Sequence, residues 1–194
     1  QRDLIVSSIS TYQFQSFLDL VVNFSSQENN FSLKDKDSNN LLKRDNIPME
    51  GLTLLHVAAF YDNIECFIYL HKQLNYSLDF STKEGLLPLH YACWSGSNQV
   101  AFYILTQKPT LANYHFEGDL KELQLIQCAV KGGDIEILSE LFKNGAEIIK
   151  NYDNKESLID LAISLRNTEI LKLLLCKHEK ESSNSQNYFL TFAI

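Results

Sequence analysis

The sequence predicts an all-α solenoid, a row of stacked helix-turn-helix units joined by finger loops. Three observations carry that expectation. The segment Gly51-Leu-Thr-Leu-Leu-His56-Val-Ala58-Ala59 is answered by Gly85-Leu-Leu-Pro88-Leu-His90-Tyr-Ala92-Cys93, so glycine, leucine, histidine and alanine each recur after 34 residues. Self-similarity at a period in the low thirties is the signature of a stacked helical repeat. After each copy the apolar residues, such as Ile64, Phe67, Ile68 and Leu70, recur at helical rather than alternating spacing. With only 7 Gly and 3 Pro in 194 residues, the chain has too few turn formers for a β-sandwich, and its 45% hydrophobic content is ample for a core.

The two copies resemble the ankyrin repeat, whose core reads G-x-T-P-L-H-x-A-A. Weaker copies follow in Leu125-Ile-Gln-Cys-Ala129 and Leu158-Ile-Asp-Leu-Ala162, so the alanine steps by 34, 37 and 33 residues from Ala58. The run Asn144-Gly145-Ala146-Glu147 is similar to the exit of the second helix in that family, where the glycine turns left-handed. The resemblance implies one ankyrin-repeat domain over 1–194, with repeats at 51–84, 85–121, 122–154 and 155–186. Residues 1–22 form a divergent N-terminal repeat or cap, 23–50 a polar insertion, and 187–194 the start of a truncated repeat. The chain begins at Gln1 rather than Met and stops just after Leu190-Thr-Phe-Ala193, and so reads as a cut-out from a longer protein.

The elements follow in order. Residues 4–22 give a short helix, a break at Thr11-Tyr-Gln, and an amphipathic helix carrying Phe14, Phe17, Leu18, Val21 and Val22, with Ser8 at the first-alanine position. The polar stretch from Asn23 to Glu50 has two readings, a surface insertion in a finger or a loop that folds on a partner. In the first clean unit Thr53 can cap the first helix, Leu55, Val57 and Ala58 face neighbouring helices, and Asp62-Asn63 turns the chain. Leu74 to Lys83 is the extended finger. In the next unit Pro88 opens the first helix, Gly96 turns the chain, and Thr110 to Gly118 forms a longer finger. Gly132-Gly133 and Arg166-Asn167 are the later inter-helix turns, and Lys180 to Gln186 is a polar connector.

Composition narrows function by exclusion. A net charge of −7 and a pI near 5.2 provide no basic field for phosphate, so nucleic acid is not an expected partner. No run approaches the 18 or so apolar residues of a membrane span, and the N-terminus lacks a signal-peptide pattern. The four cysteines, Cys66, Cys93, Cys128 and Cys176, show no metal-ligand spacing and read as reduced thiols of a cytoplasmic protein. Three Asn-x-Ser sequons, at Asn23, Asn30 and Asn75, are expected by chance in a chain this rich in Asn and Ser. There is no G-x-S-x-G, no H-E-x-x-H, and no Lys-Ser/Thr after Gly132-Gly133 to make a phosphate loop. No catalytic residue, cofactor, metal, membrane insertion or small-molecule substrate is therefore expected. His56 and His90 occupy one position of adjacent repeats, and the resemblance assigns them a structural hydrogen bond to the neighbouring finger.

The resemblance implies a protein–protein interaction module, a scaffold or adaptor that binds another protein along a concave groove. The alternative is a regulatory array within a larger multidomain enzyme or ion channel. On this register the groove positions are Glu50, Leu52, Phe60 and Tyr61 in the first clean unit, Lys83, Glu84, Leu86 and Trp94 in the second, Lys131 in the third and Asn154 in the fourth. Phe60, Tyr61 and Trp94 are the aromatic types that anchor interfaces. For Tyr61 and Trp94, packing on neighbouring repeats is the competing role.

Overall fold

The structure is a computed structural model and describes residues 2–24, 51–114, 124–148 and 158–177. Helical hairpins fill the described residues: α1 (Arg2–Ser10) with α2 (Phe14–Phe24), α3 (Leu54–Phe60) with α4 (Ile64–Lys72), α5 (Pro88–Ser95) with α6 (Asn98–Gln107), α7 (Leu125–Gly132) with α8 (Ile135–Lys143), and α9 (Leu158–Ser164) with α10 (168–177). Helices this short are marginal in water on their own, so packing must hold them. The first helices stack in one row, α1 on α3, α3 on α5, α5 on α7 and α7 on α9. The second helices form a parallel row from α2 through α4 and α6 to α8. A single buried cluster runs through both rows from Ile5 to Leu174.

The close spacing of the first row is written in one small residue per unit. Ser8, Ala58, Ala92, Ala129 and Ala162 are all buried, the four alanines at 0% exposure. At the next unit boundary the backbones come closer still: a Cβ added to Gly132 would lie 2.1 Å from the Cys93 carbonyl oxygen. Aromatic rings fill the wider second row, where Phe17 meets Tyr69 edge-on at 6.0 Å and Phe67 meets Tyr103 at 5.9 Å.

Every hairpin turns through a left-handed residue, Tyr12, Asp62, Gly96, Gly133 and Arg166, with φ of 58°, 53°, 72°, 78° and 53°. In four of the five, the polar residue that follows bonds a helix end, and in two of them, Asn63 and Asn167, it serves two units at once. Asn63 accepts from the Cys66 N–H at 3.1 Å, capping α4, and its amide donates to the Ile9 carbonyl of the preceding unit at 2.9 Å. Asn167 does the same, accepting from Ile170 N–H at 3.1 Å and donating to Gly133 O at 3.2 Å. Asp134, which has no donor, caps α8 through Glu136 and Ile137 N–H at 2.8 and 3.0 Å. Ser97 spends its hydroxyl on the Phe60 carbonyl at 3.1 Å, and α6 takes a cap from the preceding turn instead: Asp62 Oδ1 accepts from Val100 N–H at 3.0 Å.

Two local expectations change. The second helix of the first hairpin runs to Phe24, so Asn23 belongs to that helix and not to the polar stretch. The start of the second finger is a 3₁₀ helix, Pro109–Asn113, where Pro109 supplies a preset φ and needs no hydrogen-bond partner for its nitrogen. It brings Asn113 into a clamp on the loop after α8, donating to Gly145 O at 2.6 Å and accepting from Glu147 N–H at 3.1 Å. Residues 25–50, Gly118, the connector Lys180 to Gln186 and residues 187–194 lie outside the described residues.

Ala92→Leu adds three carbons between first helices that already touch, and should lower the unfolding free energy by about 1–3 kcal/mol in urea titration. An unchanged midpoint would show that the row is looser than the burial indicates. Gly132→Ala should cost at least as much, about 2 kcal/mol or more, because its clash is with backbone and no side chain can swing away. The same titration reads it, and wild-type stability would contradict the close approach.

Candidate functional site

Counting back from the left-handed turn residue aligns the exposed ends of the first helices. Two residues back stand Ser10, Phe60, Trp94, Lys131 and Ser164, and one residue back stand Thr11, Tyr61, Ser95, Gly132 and Leu165. Phe60, Trp94 and Lys131 are thus the same position in three successive units. Trp94 is half-buried and Lys131 exposed, and the Lys131 ammonium sits 5.2 Å from the centre of the Trp94 ring, a cation–π pair across the unit boundary. Phe60 is buried and meets the half-buried Tyr61 ring edge-on at 5.3 Å. The Tyr12 hydroxyl donates to the Tyr61 carbonyl, which ties the first hairpin's turn to the second's. Tyr12, at 62% exposure, and Leu165, at 46%, extend the edge at either end. The sequence reading missed both, and the signal that finds them is the left-handed turn, visible only in the backbone.

The finger positions divide. Leu52 and Leu86, expected in the groove, are instead 1% and 2% exposed. Each follows a left-handed glycine, Gly51 (φ 82°) and Gly85 (φ 83°). Leu86 is further held by exchange with Thr82, whose N–H donates to Leu86 O at 2.9 Å and whose hydroxyl accepts from Leu86 N–H at 3.2 Å. Lys83 is exposed, and Glu84 is half-buried with one carboxylate oxygen, Oε2, buried and without a hydrogen-bond partner. Glu50 and Asn154 lie outside the described residues.

His56 braces the stack, and His90 closes the first turn of its own helix. Thr53 N–H donates to His56 Nδ1 at 3.2 Å and the Thr53 hydroxyl lies 2.8 Å from the same nitrogen. With Nδ1 an acceptor, the ring proton is on Nε2, which donates to Leu86 O of the next unit at 3.2 Å. His90 repeats the first bond, accepting from Leu87 N–H at 3.0 Å, and Gln127 stands in its place one unit on, accepting from Gln124 N–H at 3.2 Å. Burial pushes His56 down to about 4, partly offset by its hydrogen bonds to the Leu86 and Phe80 backbone, and pushes His90 down to about 3. Both rings are neutral where an ordinary histidine is half charged.

The remaining nucleophiles are quiescent. Cys66, Cys93 and Cys128 are buried, and desolvation raises the thiols of Cys66 and Cys128 to about 12 and that of Cys93 well above the ordinary range. Cys176 is exposed. Among the described residues no group of three or more His, Cys, Asp or Glu could hold a metal ion, and no helix is long and apolar enough to cross a membrane.

A family model of ankyrin repeats, in 3 copies, matches residues 18–116. The chain belongs to the ankyrin-repeat family. The stacked hairpins, the buried alanine row and the histidine braces are that family's architecture realised in these residues. Among curated proteins, the chain is similar to the transient receptor potential cation channel subfamily A member 1 of Drosophila melanogaster, 26% identical over 132 residues. That match takes in 64% of this chain and 11% of the channel. It is also similar to the probable palmitoyltransferase AKR2 of Saccharomyces uvarum, 22% identical over 142 residues, 71% of this chain and 19% of that protein. The matched part thus spans between a tenth and a fifth of the length of these relatives.

The ankyrin histidines set a pH dependence. An unfolded histidine takes up a proton near pH 6.5, whereas His56 and His90 in the fold resist until about 4 and about 3. Stability is therefore full above pH 6.5 and erodes as pH falls toward those values, because the unfolded chain binds the extra protons. The urea midpoint should fall between pH 7.5 and pH 5 by an amount worth on the order of 1–2 kcal/mol per histidine. Asp79 and Glu140, whose carboxyls are held low by Lys108 and Lys143, titrate below that window. His56→Gln with His90→Gln, copying Gln127, should flatten the slope, and an undiminished slope in that variant would assign it to other groups.

Proposed function

We propose that this ankyrin array is a non-catalytic interaction module, a cytoplasmic scaffold or adaptor that holds another protein along the groove between its first-helix ends and its finger tips. The observation that carries this reading is the contrast along the first helices. In α3 and α5 every position but those near the exit is buried, while at the exits Tyr61 and Trp94 pack one side on the core and leave the other to solvent, with Lys131 exposed beside them. Half-buried aromatics beside a charged rim are the residue types that dominate interfaces, each worth about 2 kcal/mol or more when truncated. Glu50, Lys83, Glu84 and Asn154 remain proposed contacts at the finger tips. Leu52 and Leu86 drop out because they have no surface to offer, and Phe60 supports Tyr61 from beneath.

A second reading is favoured by the relatives' names, one a cation channel and the other a probable palmitoyltransferase. In it the array is a regulatory segment of a larger channel or enzyme. The full gene product decides this: a transmembrane or transferase region joined to the array would favour regulation, and its absence would favour the free-standing adaptor.

The groove itself is tested by Tyr61→Ala with Trp94→Ala. A protein captured on the wild-type chain and identified should bind this double variant roughly a hundredfold or more weakly in calorimetric titration, with thermal unfolding nearly unchanged. Early unfolding would make these rings core residues. Normal stability with normal binding would move the contact away from the groove.

A further inference from the structure

The rim of inter-helix turns does not share the acidic excess of the chain as a whole. The net charge is −7. Yet the two carboxylates set in the rim, Asp62 and Asp134, are each engaged by backbone N–H groups at a helix start: Asp62 by Val100 at 3.0 Å, Asp134 by Glu136 and Ile137 at 2.8 and 3.0 Å. The partial positive charge of the α6 and α8 N-termini offsets them. The rim cations have no such partner. Among the described residues no carboxylate pairs with Lys131, whose ammonium rests on the Trp94 ring, or with Arg166, which is exposed at the next hairpin's turn. Glu136 and Glu169 stand past the turn on the second helices. The rim charges left without a hydrogen-bonded or ionic partner among the described residues are therefore the two cations, and they are interleaved with apolar surface, the half-buried Trp94 before Lys131 and the exposed Leu165 before Arg166.

We infer that this rim receives an extended acidic segment of a partner protein, with carboxylates on Lys131 and Arg166 and large apolar side chains on Trp94 and Leu165. The inference rests on the groove-binding reading and specifies its ligand. Spacing adds a constraint. Stacked helices lie about 8–10 Å apart and an extended strand advances about 3.3 Å per residue, so carboxylates reaching two successive units stand about three positions apart. A carboxylate arriving at Lys131 meets an ammonium already partly stripped of water by the indole, which strengthens the pairing over that of a free surface lysine.

The test is a random dodecapeptide display library panned in parallel on the whole chain, on Lys131→Glu with Arg166→Glu, and on Tyr61→Ala with Trp94→Ala. The charge-reversed residues are exposed, and far-UV melting confirms that each variant is folded. The wild-type pool should enrich peptides with two acidic residues about three apart and an apolar neighbour. Synthetic copies should lose at least tenfold in affinity on the charge-reversed chain and weaken as salt rises. A wild-type pool without acidic bias, no enrichment at all, or equal binding to the charge-reversed variant each overturns the inference. Two of these outcomes also separate it from the groove reading. Peptides without acidic bias that still lose the Tyr61/Trp94 variant leave the groove standing, while peptides indifferent to both variants remove it. A labelled oligo-dT of twelve nucleotides that binds the rim as tightly as the acidic peptides would reassign the cations to nucleic acid.

Discussion

The near contact of neighbouring first helices is the constraint on which the rest of this fold depends. Ala58, Ala92, Ala129 and Ala162 keep the backbones close, and Gly132 closes the gap between α5 and α7 further. Only at that spacing can a short side chain on one hairpin reach the backbone of the next. The Asn63 amide finds the Ile9 carbonyl, and the His56 ring finds that of Leu86. The apolar stacking thus fixes the geometry, and the polar bonds fix the register. Each of these bonds satisfies a buried group that would otherwise cost about 1–3 kcal/mol, which gives them more weight against misalignment than their small net contribution suggests.

The first-turn bonds also distinguish the inner hairpins from the end ones. Thr53–His56, Leu87–His90 and Gln124–Gln127 close the same first turn in three consecutive hairpins. The first and last hairpins place Val6 and Asp160 there; Val6 offers no acceptor, and Asp160 has no ring or amide N–H to donate to a neighbour. Of His56, His90 and Gln127, His56 also reaches the next hairpin, at the Leu86 carbonyl, while Asn63 and Asn167 tie the first and last hairpins to their neighbours.

Much of this was legible in the sequence, for reasons that are local. A small residue between helices, a histidine at a fixed offset and a glycine or Asx residue at a turn are demanded by geometry within a few residues, so the period from Gly51 to Ala162 could be read directly. The first hairpin was harder because it lacks the glycine and histidine, and its turn falls at Tyr12, a residue seldom found left-handed. Leu86 was misplaced because its burial depends on the preceding finger, through Thr82, and not on its place in the motif, and Leu52 takes the equivalent buried position. The Trp94–Lys131 pair was readable as two candidates and not as one contact, since its members lie 37 residues apart across an irregular step. The 3₁₀ turn at Pro109 hid in a stretch whose composition is that of any connector.

The turn at Asp62-Asn63 faces two ways: Asn63 holds the hairpin before it, and Asp62 supplies the start of α6 in the hairpin after it. Hairpin arrays are commonly pictured as interchangeable bricks that gene duplication can add or drop. Here the bricks share mortar. Excising residues 51–84 would take with it the Asp62 carboxylate that finishes α6, a helix the excised segment does not contain. A duplicated copy set in its place would serve only if it brought an acceptor at the same turn position, which the glycines at 96 and 133 do not provide. The order of hairpins in this chain is thus under chemical selection as well as their number, and shuffled descendants would be expected to carry the second and third units as a fixed couple.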